Sequence, residues 1–152
     1  MLRTDITEAM KTAMRAHDEA SLGTLRMILA KIKDADIAAR PKGNTDGIGD
    51  AEVATLLQGM VKQRKESAAL YEKGNRADLA AKENAEIAVI ERFMPKQMND
   101  DEVKAAIDAV LKTVGAASIK DMGKVMAELK KTYAGQMDFS AAGGLVKTKL
   151  GG

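Results

Sequence analysis

Apolar residues in this chain recur every third or fourth position. Nowhere do they alternate over the run of residues that a half-buried strand requires. That period leaves one way to build a core, which is to pack helices. Leu2, Ile6, Ala9, Met10, Ala13 and Met14 form the stripe of a first helix, expected over 2–16. Asp18 is placed as the N-cap of a second, whose stripe is Leu22, Leu25, Ile28, Leu29 and Ile32. Asp50 is expected to cap a third helix that stops at Gly74, and a fourth runs over 77–94. The segment 40–49, RPKGNTDGIG, holds one proline and three glycines and reads as a flexible loop.

Pro95 ends the fourth helix, because the residue before a proline is pushed out of the α region. The boundary between two domains is therefore placed between Met94 and Pro95. Beyond it, Asn99 followed three residues later by Glu102 has the pattern of a capping box, and Gly115 closes the helix it opens. Ser118 and Ser140 are expected to start two further short helices. The reading is an all-α protein, with an N-terminal bundle of about four helices over 1–94 and a three-helix C-terminal domain over 95–152.

Composition narrows the chemistry. The chain has no Cys, so thiolate catalysis, disulfides and cysteine metal sites are excluded, and no metal site is expected. No apolar run reaches the 18 residues of a membrane span, and the N-terminus is amphipathic and carries acids, so the expectation is a cytoplasmic protein. The one histidine, His17, stands at the turn between the first two helices, where a helix-end role competes with a general base. No nucleophile elbow and no phosphate-cradling loop occurs. No catalytic residue is assigned and no cofactor is expected. Aromatic residues make up 3% of the chain, too few for a surface that stacks on exposed bases.

Two constellations remain. On the third helix the face Val53, Leu57, Met60, Arg64, Ser67, Tyr71 is apolar except at Arg64 and Ser67. Arg64 then points into the bundle and requires a carboxylate, with Glu83 and Glu86 the candidates. Those three residues read first as a structural ion pair, and second as a polar cluster that holds a ligand. The other constellation is basic. Residues 111–152 hold seven lysines against three acids, and Lys120 and Lys124 share a helix face with Gly123 between them, in KDMGKVM. Lys130, Lys131, Lys147 and Lys149 extend the charge. Glycine costs a helix about 1 kcal/mol relative to alanine, so a bare backbone between cations has two explanations. One is contact with a phosphate chain, and the other is a close helix crossing, to which Gly143 and Gly144 would also belong.

QRKESAALYEKGNRADLAAKENAEIAVIERFMPKQM (63–98), followed by KDMGKVMAEL (120–129), resembles the YqeY proteins of the GatB/YqeY family. SLGTLRMILAKIKDADI (21–37) resembles the segment that opens that domain. The resemblance implies an all-α module, similar to the C-terminal portion of the B subunit of a glutamine-dependent tRNA amidotransferase, which helps recognise the tRNA body. It implies tRNA binding, placed on Lys120, Gly123 and Lys124, with amidotransferase subunits or an aminoacyl-tRNA synthetase as possible protein partners. A carbon–nitrogen ligase activity with glutamine as amido donor is associated with the family, but no site for carboxylate activation or ammonia release is legible here. A helical protein-interaction module is the third reading.

Overall fold

A computed structural model of the chain describes residues 1–151. Seven α-helices and two single 3-10 turns make up its regular structure, and no strand occurs among the described residues. The all-α expectation stands. The chain divides into two compact units, Met1–Met94 and Pro95 onward.

The N-terminal unit contains α1 (Leu2–Arg15), α2 (Glu19–Ala39), α3 (Asp50–Lys73) and α4 (Ala77–Glu91). Its core is the apolar stripes turned toward one another. Ile6, Ile28, Leu57 and Ile90, one from each helix, are completely buried at its centre. Met14, counted with the first stripe, is 48% exposed and lies outside that core. Asp18 does cap α2, its carboxylate accepting from the Ser21 N–H at 3.1 Å. The start of α3 differs by one residue. Asp50 is the first helical residue, and Gly49 is the cap, its N–H donating to Glu52 Oε2 at 3.2 Å. Likewise α4 ends at Glu91, three residues short of 94. Residues beyond Glu91 close in short turns instead, Phe93 N–H to the Ile90 carbonyl and Met94 N–H to that of Glu91.

The loop 40–49 is more ordered than its composition implied. Arg40–Lys42 form a 3-10 turn, and the Asn44 side chain bridges the Asp46 and Gly47 N–H groups and the Gly47 carbonyl. Asp36 of α2 then holds the far end. Its carboxylate takes both ends of the Arg3 guanidinium, at 2.7 and 2.9 Å, and the Ile48 N–H at 2.8 Å. Ile48 drops into the core at 8% exposure. Gly47 has φ of +98°, and a Cβ there would stand 2.9 Å from Asp36 Oδ1, so this position admits only glycine without rearrangement. Glycine here fixes a turn and does not loosen one.

The C-terminal unit is built from α5 (Asp100–Val114), α6 (Met122–Thr132) and α7 (Phe139–Lys149). Asn99 accepts from the Glu102 N–H at 2.8 Å and donates to its carboxylate at 3.1 Å, and Gly115 ends α5 in the left-handed conformation. Ile107, Val125, Leu129 and Val146 are fully buried between the three helices. The cap of α7 is Asp138, which accepts from the Ser140 N–H at 2.9 Å, so Ser140 lies one residue inside the helix.

Candidate functional site

The KDMGKVM stretch does not lie in the middle of a helix. Ser118 opens a 3-10 turn, Ile119–Asp121, and α6 proper starts at Met122. Asp121 stabilises the junction, its carboxylate accepting from the Ala117 and Ser118 N–H groups at 2.9 and 3.2 Å. Those backbone bonds, with the nearby Lys124 ammonium, hold the Asp121 carboxyl below its usual pKa.

Helical spacing then sorts the residues of α6. Val125 and Leu129 are buried, with Met122 and Met126 packed beside them against α5 and α7. The opposite side carries Lys120, Gly123, Lys124, Ala127, Lys130 and Lys131, all exposed. No carboxylate stands among them. The nearest acids, Asp121 and Glu128, are half-buried on the flanks, and Glu128 accepts from the Thr132 hydroxyl at 3.1 Å. At 1.5 Å per residue, Lys120 to Lys131 spans roughly 17 Å.

The two explanations for Gly123 now separate. A Cβ built at Gly123 meets nothing within 4 Å, and the same is true at Gly144. Neither glycine lies at a crossing of the described helices. Of these three, Gly143 alone would bring a Cβ near a neighbour, at ordinary distances of 3.8 Å from the terminal carbons of Met122 and Met126. Lys147, one turn further along α7, is exposed. Lys149 makes an ion pair with Asp108 of α5. Of the seven basic-site positions, five share the outward side of α6 and the turn that leads into it, Lys147 lies exposed on α7, and Lys149 is paired with Asp108.

The second constellation lies in the N-terminal unit. Arg64 is 8% exposed, and its Nε donates to Glu86 Oε2 at 3.1 Å. Nη1 donates to the Met60 carbonyl at 3.3 Å, while Nη2 lies against the Met27 sulfur. Glu83 stands half-buried nearby without a bond to Arg64. The three residues lie on one groove of about 480 Å³ between α2, α3 and α4. The Met27 contact was not legible in the sequence, because periodicity does not say which residue of α2 faces α3. His17 adopts a positive φ of 54° at the turn after α1, where its N–H bonds the Met14 carbonyl. Among the described residues no three His, Asp or Glu side chains converge as a metal ion would require.

An all-helical chain of two small units, one with an outward lysine face, is the class of protein that these features define. The chain belongs to the YqeY-like family, whose model matches residues 3–150. It is also similar to curated fungal proteins. One is the mitochondrial "altered inheritance of mitochondria protein 41" of Vanderwaltozyma polyspora, 28% identical over 119 residues, covering 74% of this chain and 62% of the relative. The protein of that name in Meyerozyma guilliermondii is 38% identical over 87 residues, 56% of this chain and 42% of its own length. An uncharacterised Schizosaccharomyces pombe protein is 29% identical over 100 residues, 66% of this chain and 74% of that protein. This chain thus spans only part of the length of the relatives it matches.

These relatives overturn the cytoplasmic expectation, since those with a descriptive name are named as mitochondrial. The physical reason is plain. No helix among the described residues is long and apolar enough to cross a membrane, but that property constrains insertion and carries no information about compartment.

Proposed function

We propose that this protein is a tRNA-binding accessory module, and that the outward side of α6 carries the contact. Lys120, Lys124, Lys130 and Lys131 meet phosphates, with Lys147 of α7 as a further exposed cation, and Gly123 and Ala127 leave room between the ammonium groups for the backbone to approach. The observation that supports this reading most is the face itself, four lysines and two small residues with no carboxylate among them. Cations that neutralise phosphates release counterions, so binding of this kind is salt-sensitive and nearly blind to base identity. Lys149 contributes least, because Asp108 already holds it. An amidotransferase or an aminoacyl-tRNA synthetase is the proposed setting in which the bound tRNA is used, with chemistry supplied by that partner.

Binding of bulk tRNA, followed by fluorescence anisotropy at about 50 and 200 mM salt, tests this. Wild type is expected to bind at low salt and to weaken steeply at the higher. Lys120→Gln/Lys124→Gln should lose at least about tenfold in affinity at low salt, the effect of two phosphate contacts removed. Gly123→Leu should fold, since its Cβ position is open, yet bind more weakly because the side chain fills the approach. Absence of binding at either salt would refute the tRNA reading for this chain.

A further inference from the structure

The groove between α2, α3 and α4 lies wholly in the N-terminal unit and has no part in the basic face of α6. Its volume, about 480 Å³, falls in the range of small-molecule sites, and the junction of bundle helices is a common place for one. Arg64 is its floor. A guanidinium carries five N–H donors, and the bonds in the structure engage three of them. One of those three faces only a thioether, which is a weak acceptor on a flexible, 38% exposed side chain. The Nη1–Nη2 edge is thus covered by a group that an oxygen anion would displace readily.

The rim has the charge such an occupant needs. Lys31 of α2 and Lys82 of α4 line the groove, are exposed and have no hydrogen-bond or ion-pair partner among the described residues. Together with Arg64 they set three cations against the two carboxylates Glu83 and Glu86, and Glu86 is already bonded to Arg64. Ser67 and Tyr71 continue the same wall along α3, offering hydroxyl groups over the roughly 10 Å between Arg64 and Tyr71.

We infer that this groove binds a small anion, with its phosphate or carboxylate seated on the Arg64 guanidinium between Lys31 and Lys82 and the Met27 thioether moved aside. Charge-assisted, fork-shaped contact of this kind is what arginine makes best. The Arg64–Glu86 pair then serves as the anchor that holds the guanidinium in place for the ligand.

Methionine-methyl NMR on the full chain reads the site directly, because Met27 lies on it and Met10 does not. Inorganic phosphate and succinate are titrated separately, each against sodium chloride at matched ionic strength. The expected result is a saturable shift of the Met27 methyl with at least one of the two, and which one responds tells phosphate from carboxylate. Lys31→Gln/Lys82→Gln, both at exposed positions, should raise the half-saturation point about tenfold, while Lys120→Gln/Lys124→Gln leaves it unchanged. A Met27 response no larger than that to chloride overturns the inference. So does a rim variant that titrates like wild type.

Discussion

In the N-terminal unit a guanidinium lies inside the protein, 8% exposed, with one carboxylate and a thioether against it. In the C-terminal unit every buried side chain among the described residues is apolar, and all the lysines stand outside. The first unit turns charge inward onto a groove, and the second turns it outward onto a face. An inward charge has to be matched group by group, which is why Arg64 comes with Glu86 and the Met60 carbonyl. An outward charge requires no partner within the chain, and Lys124, Lys130 and Lys131 of α6 have no ion pair among the described residues. On the two proposals above, the contrast would separate a small anion that fits a groove from a polyanion that lies along a helix.

The largest expected effect comes from the cores. Leu129→Ala and Leu57→Ala each remove a fully buried side chain, at a cost of about 2–5 kcal/mol. The C-terminal unit has the smaller core and should unfold on that loss, whereas the N-terminal unit should survive its own. Hydrogen-exchange mass spectrometry resolves the two regions. Loss of protection throughout the chain in either variant would break the description of two separate cores.

Next in size is the inward charge. Glu86→Gln strands Arg64 and should cost about 3 kcal/mol in urea denaturation, while the double change Arg64→Met/Glu86→Leu should return close to wild type. Lys149→Gln removes an exposed pair and should cost about 0.5 kcal/mol or less. Equal losses at Glu86 and Lys149 would erase the distinction between the two units.

Asp36 supplies a pH test. The Arg3 guanidinium and the Ile48 N–H hold its carboxyl below the ordinary value. A carboxyl whose pKa is lower when folded stabilises the fold fully above its unfolded value, about pH 4, and loses that contribution as pH falls through the folded value. Asp36→Asn should therefore melt a few degrees below wild type at pH 7, and the gap should close on acidification. A gap that widens below pH 4 would contradict this role of the Asp36 carboxylate. Smallest of all, Gly123→Ala should stabilise the C-terminal unit by a fraction of the roughly 1 kcal/mol that the change is worth inside a helix, about 0.3 kcal/mol, since nothing opposes the new methyl group but the position lies in the first turn.

Much of the fold was legible because helix starts and stops are local. Asp18, Asn99 and Gly115 each act as their residue types imply. The apolar stripes likewise mark which side of each helix is buried. What stayed hidden depends on pairs far apart in the chain. Arg3 with Asp36, Lys149 with Asp108 and Arg64 with Met27 are contacts that periodicity cannot choose. The glycines of 40–49 were misread for a related reason, since composition signals a turn but not the carboxylate that holds it. At the candidate basic face, spacing indicated the lysines on α6, whereas the open surroundings of Gly123 required coordinates.

The slope of tRNA affinity against salt concentration reads the outward face of α6 as the proposed RNA contact. In a double-logarithmic plot, each phosphate contact contributes about 0.7 to 0.9 to the slope. Lys120→Gln/Lys124→Gln/Lys131→Gln should flatten the slope by about 2 to 3 relative to wild type, with the fold unchanged by circular dichroism. An identical slope in the two proteins would contradict that proposal and place the RNA contact elsewhere on the molecule.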